Sequence, residues 1–276
     1  MTRQAIELGP TAYDHDAWQM LGSIYDDEKK HDSALLVFRQ AHELYPNSFR
    51  AVNAIGINYY LQKKEIRLFT ILRRPFNEPI CGRPTLLLGM LALDKGYPIQ
   101  AMMSFTMSLI LSPDGSRSSN SLNKLYTISN ISDEMTTAMN DRKEESFLKE
   151  NYAELETYFK SKIALEKKYK IETKLDETLF RQLNLIFDKA QPSSNPEEFW
   201  GAVYGRLYQD IYKKGMFEGL TIRMIEGVNS TEAQKLVKSS KGDIEKWGAL
   251  FPTTWIILDT NAIDRKNRSP ATRLLL

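Results

Sequence analysis

The chain is poor in soft metal ligands. Its 276 residues include one cysteine, Cys81, and three histidines, His15, His31 and His42. A lone cysteine excludes an intrachain disulfide and a thiolate cluster. The histidine spacing fits no metal-binding pattern, so neither a metal nor a cofactor is expected. Long apolar runs are missing as well. The longest tracts, Leu86–Leu93 and Trp255–Leu258, fall far short of the ~18 consecutive apolar residues of a membrane span. The stretch Met1–Pro10 has no apolar segment of the signal-peptide kind; a cytoplasmic location is the default expectation, with export open if the chain is a fragment. Neither charge dominates: 37 Lys and Arg stand against 35 Asp and Glu, a net +2. That balance offers no basic footprint for nucleic acid. A Gly-rich phosphate loop, a Gly-x-Ser-x-Gly elbow and a His-Glu-x-x-His pair are all absent, and Cys81 has no histidine near it in sequence. No catalytic residue is assigned, and the chain is not expected to be an enzyme.

What is present is a spaced pattern beginning at Ala17. Trp18, Leu21 and Tyr25 recur at three- and four-residue steps and share one helix face. Gly22 has no side chain to hold off a neighbouring helix. Ala34, Phe38 and Ala41 continue the inner face of a second helix, and Pro46 stops it. Asp26–Asp32 is polar enough for a surface turn. A second copy follows in register: Gly56 lies 34 residues after Gly22, with Val52, Ile55 and Tyr59 around it. Its second helix is poorer, because Leu68 replaces the small Ala, Leu72 replaces Phe, and Pro75 sits where the late Ala belongs. A proline there breaks a helix, so a shortened or distorted element is predicted around Ile66–Arg74. In a third copy Leu88 and Gly89 restore the pair, followed by Ala101, Phe105, Ser108 and Pro113, with a turn at Gly96–Pro98. Ala5 and Pro10 are spaced like Ala41 and Pro46, so residues 2–9 read as the end of a second helix. That half repeat is either a cap or part of a longer natural array.

These signature positions resemble the tetratricopeptide repeat, whose consensus runs Trp, Leu-Gly, Tyr, Ala, Phe, Ala, Pro over about 34 residues. The resemblance covers residues 1–115. It implies an all-α fold, a right-handed superhelix of antiparallel helix pairs followed by a C-terminal helical region, and a concave groove lined by the first helix of each pair. Carried over position by position, the groove residues are Gln19, Ser23 and Asp26, then Arg50, Asn53, Ile57 and Tyr60, then Arg83, Leu86, Met90 and Leu93. The groove would grade from polar to apolar. Arg50 and Arg83 either pair with acidic side chains or are solvated. Leu86, Met90 and Leu93 either line an open groove or pack against the C-terminal region. The branch of the family that holds an acidic chaperone tail uses a Lys/Asn/Asn/Lys/Arg clamp. Here those positions are Gln19, Ser23, Ala54, Arg83 and Leu87, and only Arg83 fits, which argues against a chaperone-tail adaptor.

Beyond residue 115 no family is apparent. Residues 116–132 read as a linker or weak helix, opened by the polar run Gly115–Ser121. Residues 133–276 read as a C-terminal helical domain with a frayed tail. Asp133–Tyr169 predicts one long amphipathic helix or two, with a basic stretch from Lys160 to Lys174. Leu175, Leu179, Leu183, Ile186 and Phe187 form an apolar stripe. After the Gln191–Pro196 loop, a helix carries Phe199, Val203, Leu207 and Ile211 beside Trp200, Tyr204, Tyr208 and Tyr212. Its apolar faces predict burial on two sides. Helices over Met216–Gly227 and Glu232–Ser239 follow, and Trp255–Leu258 is strand-prone. The leading expectation is a non-catalytic scaffold for a protein or peptide partner. The alternatives are a structural subunit docked permanently in a larger assembly and an enzyme in residues 116–276 with a repeat arm.

Overall fold

The structure is a computed structural model and describes residues 14–46, 49–72, 82–112, 116–143, 148, 150, 152–195, 198–226 and 231–245. Among these every regular element is helical and no strand occurs. The chain forms two compact units, Met1–Lys149 and Glu150–Leu276. The strand-prone Trp255–Leu258, the tail, Cys81, Pro75 and the half repeat at residues 2–9 lie outside the described residues.

The first unit is a succession of helical hairpins. Helices α1 (Asp14–Asp27) and α2 (His31–Leu44) form the first, α3 (Phe49–Leu61) and α4 (Glu65–Leu72) the second, α5 (Gly82–Asp94) and α6 (Pro98–Leu111) the third. Helix α7 (Ser116–Ser129) packs on α6, and α8 (Asp133–Asp141) follows. The segment read as a linker or weak helix carries a 14-residue helix. Leu122, Leu125 and Ile128 are buried and give it an apolar face despite its many serines. Helix α4 is described as far as Leu72; the rest of the span Ile66–Arg74, where a shortened or distorted element is expected, lies outside the described residues. Each second helix contacts the first helix of the following hairpin, and successive first helices also touch.

Three glycines set the hairpin closeness. A Cβ on Gly22 would collide with the Phe38 ring; on Gly89 it would lie 2.7 Å from Phe105 Cδ1, and on Gly56 3.1 Å from Leu72 Cδ2. The partner is 16 residues downstream each time. The turns are also alike. Lys29, Lys63 and Gly96 take left-handed φ values of 58°, 53° and 77°. After each, the N–H of Lys30, Lys64 and Tyr97 returns to the carbonyls of Tyr25, Tyr59 and Ala92 at 2.8–2.9 Å. This is the six-to-one bond of a Schellman stop, occurring three times at 34- and 33-residue intervals. Between hairpins, contacts join residues 34 apart: Arg50 Nη1 donates to Asp16 Oδ1 at 2.7 Å, and the Tyr60 hydroxyl to Asp94 Oδ2 at 2.7 Å. Helix α6 is the most deeply set, with Pro98 through Leu109 all buried.

The second unit contains α9 (Ala153–Lys160), a 3-10 turn at Ile163–Leu165, α10 (Thr178–Lys189), a π-helical segment at Trp200–Gly205 running into α11 (Arg206–Lys213), then α12 (Phe217–Ile225) and α13 (Thr231–Ser239). Of the one or two amphipathic helices expected over Asp133–Tyr169, two form, α8 and α9, and they fall in separate units. After α9 the chain leaves the helix at Lys162, which takes a left-handed φ of 57°. Arg181 on α10 pins the irregular stretch by donating to the carbonyls of Ala164 at 3.0 Å and Glu166 at 3.1 Å and by pairing with Asp176. The lysines of the basic stretch are mostly exposed on this loop rather than on a helix face. The core is aromatic. Phe187 of α10 stacks on Tyr208 with ring centroids 4.1 Å apart, and Phe217 tilts against Phe187 at 5.0 Å. Trp200, Tyr204, Leu207, Tyr208 and Ile211 are buried, whereas Phe199 and Val203 are half-exposed.

Candidate functional site

Two surfaces have the makings of a site, one in each unit. In the first unit the row of first helices, α1, α3 and α5, carries the residues assigned to the groove. Ser23 is exposed and Ile57 is 39% exposed. Gln19, Leu86, Met90 and Leu93 are half-buried. Arg83 belongs to α5, with its side chain outside the described set.

Four others depart from the expectation of a freely presented side chain. Asn53 is buried, 5% exposed. Asp26 is drawn inward, because its Oδ1 accepts from Asn58 Nδ2 at 2.8 Å and from the His31 ring at 3.0 Å. His31 is held there half-buried. Arg50 is exposed but engaged with Asp16, and Tyr60 with Asp94. Burial and the Asp94 carboxylate push the Tyr60 phenol up to about 12. For Asp26, Arg50 and Tyr60 the adjacent hairpin supplies a polar neighbour that the position in one repeat does not reveal. Leu87, one of the positions compared with a carboxylate clamp, is buried too.

The structure adds residues that sequence reasoning passed over. Met20 is 60% exposed, Ile24 41% and Leu61 55%. All three lie on α1 or α3, so together with Ile57 the exposed character of these helices is more apolar than the groove assignment suggests. Their helical spacing was visible, but apolar residues in a helix read as core unless the solvent side is known.

The second site is a cavity of about 550 Å³ within the second unit. Its walls are the start of α9, the end of α10 with the following loop, and the beginning of the π-helical segment. The residues with chemistry are Glu150, Tyr152, Glu154, Tyr158, Lys189 and Glu198. Glu150 is the anchor. Its Oε1 accepts the N–H of Trp200 at 2.7 Å and its Oε2 the N–H of Gly201 at 2.8 Å. The carboxylate thereby satisfies two donors that open a helix and have no intrahelical acceptor. The loop lies tightly on the same turn. A Cβ on Gly201 would be 2.9 Å from Ser193 Cβ, and one on Gly205 2.7 Å from the Gln191 carbonyl oxygen. Ser193 in turn donates its N–H to the Gly201 carbonyl at 3.1 Å. Burial pushes the Glu150 carboxyl up to about 7, outweighing the two N–H bonds that favour its charged form, with the nearby Glu198 charge adding to the rise.

Among the described residues no three His, Cys, Asp or Glu groups converge to hold a metal ion, and no helix is long and apolar enough to cross a membrane. Comparison with family models, curated proteins and solved structures gives no match.

Proposed function

We propose that this chain is a non-catalytic interaction scaffold of the tetratricopeptide type, and that it holds a protein or peptide partner on the row of first helices in residues 1–115. The observation carrying this reading is the repetition of one hairpin geometry at the spacing of the sequence signature. Each glycine meets a side chain 16 residues on, each turn uses the same left-handed stop, and bonds join residues 34 apart. Such stacking aligns first helices in a row and suits them to bind a peptide or helix, with solvent-facing apolar residues as anchors. Ile57 and Leu61 of α3 and Met90 of α5 are the anchors in this reading. Arg50 and Tyr60 serve the array itself.

The test replaces Ile57 and Leu61 with Ser and Met90 with Ala, leaving the bonded pairs intact. Quantitative affinity purification from the native host then compares the variant with the wild type. Partners recovered by the wild type should be lost with the folded variant; equal recovery would overturn the groove reading.

A specific observation also favours the second reading, a subunit docked permanently on neighbours. Met20, Ile24 and Leu36 are exposed at 60%, 41% and 64%, yet the residues at the same positions of the third hairpin, Leu87, Leu91 and Met103, are 8%, 2% and 0% exposed. These positions are thus exposed on the first hairpin and covered on the third.

A further inference from the structure

One face of α1 is left uncovered where its counterparts on α3 and α5 are covered. Helix α2 packs on α3 and α4 packs on α5, so these two first helices each lie against a second helix that precedes them. Helix α1 has none among the described residues. The difference shows position by position. Ile24 is exposed, while Asn58 and Leu91 at the same position of the later hairpins are buried. Leu21 is half-buried, against buried Ile55 and Leu88; Tyr25 is half-buried, against buried Tyr59 and Ala92. Every first helix has its own hairpin partner and a following neighbour. What α1 lacks is the helix before it.

Helix α2 shows the chemistry that such a helix brings. Its last two turns and stop read Arg39-Gln-Ala-His-Glu-Leu-Tyr-Pro46. There Arg39 Nη2 donates to the hydroxyl of Tyr59 on α3 at 2.7 Å. Ala41 is fully buried, whereas Glu43 and Leu44 are exposed. The chain carries a second version of this run, Arg3-Gln-Ala-Ile-Glu-Leu-Gly-Pro10, which differs only in Ile6 for His42 and Gly9 for Tyr45. It lies outside the described residues. The connections agree as well: two residues separate Pro46 from the start of α3, and three separate Pro10 from the start of α1. Tyr25 is the counterpart of Tyr59, so the run that brings an arginine to α3 has its double just ahead of a tyrosine at the same place on α1.

We infer that the open face of α1 is the docking site of the segment Arg3–Pro10 of the same chain. Arg3 meets Tyr25 as Arg39 meets Tyr59, Ala5 takes the close-packed position of Ala41, and Leu21 and Ile24 are removed from water. This rests on the repeat reading of the first unit and is independent of any use of the groove.

Photo-cross-linking in the full chain tests it. Benzoylphenylalanine is placed at Ile24, equal amounts of unlabelled and heavy-isotope-labelled chain are mixed and irradiated, and the cross-linked peptides are located by mass spectrometry. Cross-links to Arg3–Pro10 within one chain are expected. Ala5→Phe forces a ring into the position that is fully buried at Ala41, and should remove most of that product. Glu7→Ala, at the counterpart of exposed Glu43, should leave it unchanged. Circular dichroism checks that both variants keep their helix content. The inference is overturned if no cross-link to the segment forms, if mixed-isotope products show a second copy on the face, if Ala5→Phe cross-links like the wild type, or if Glu7→Ala loses the product equally. Failure of the groove reading is a separate outcome: it would appear as unchanged partner recovery when Ile57, Leu61 and Met90 are replaced, and none of the variants used here touches those residues.

Discussion

At Glu150 two effects oppose each other. Removal from water favours the neutral acid, while the N–H groups of Trp200 and Gly201 favour the carboxylate, and the outcome is a carboxyl that titrates at about 7 instead of 4.5. Between those values the folded chain keeps a proton that the unfolded chain has released. Stability from this group is therefore full below about 4.5 and falls as the pH rises towards about 7, by on the order of 3 kcal/mol across the window. Glu150→Gln removes the titration. It also leaves one backbone N–H without an acceptor, since an amide has one oxygen, at a cost of about 1–3 kcal/mol. Urea denaturation of both proteins at pH 5 and pH 8 checks this. The wild type should lose more stability between the two than the variant does, and parallel pH responses would refute the assignment. The groups facing Glu150 are Glu198 and Tyr152 beside it, Glu154 and Tyr158 on α9, and Lys189 on α10; the wild-type-minus-variant difference removes their own titrations to first order.

At the scale of elements, the three hairpin glycines make a graded prediction. Gly22→Ala drives a methyl into the ring of Phe38, which is itself buried. Gly89→Ala does the same to Phe105 with slightly more room, and Gly56→Ala meets only the movable end of Leu72. Overpacking of the first kind costs about 1–3 kcal/mol. Thermal melts should therefore rank the losses Gly22 first, Gly89 next and Gly56 least; a flat or inverted order would mean that the hairpins do not close on these residues. The hairpins were legible because their signals are local: a helical period, a Leu-Gly pair, and a proline stop. The turns were half legible. Gly96 announces a left-handed position, while Lys29 and Lys63 occupy the same conformation with no residue preference to reveal it. Periodicity showed both buried stripes of α11 and its π-helical start but not where one of them leaves the core. Phe199 and Val203 continue the α-helical stripe of Leu207 and Ile211, but the wider turn brings Trp200 and Tyr204 inward in their place. The site was least legible. Family position places Asn53 and Asp26 on the groove helices, but only three-dimensional neighbours reveal that one is buried and the other bonded to Asn58. Glu150 finds its partners 50 residues away, a distance no local pattern spans.

For the whole molecule, the two readings of the first unit predict different masses in solution. If the open face of Met20, Ile24 and Leu36 is a permanent interface with another copy, the purified chain should sediment as an oligomer, and Leu36→Lys should disperse it. A wild-type monomer at all accessible concentrations would rule out that self-docked form and favour an open binder. The contacts between residues 34 apart have one more consequence. Where a position meets its own counterpart in the next hairpin, identical hairpins would set like against like: a carboxylate at position 50 would face the carboxylate of Asp16. Asp16 with Arg50 avoids that, and in doing so it gives the first two hairpins an address. A hairpin docked one place out of turn would lose its complement, so the drift of these copies from a shared consensus helps keep them in order.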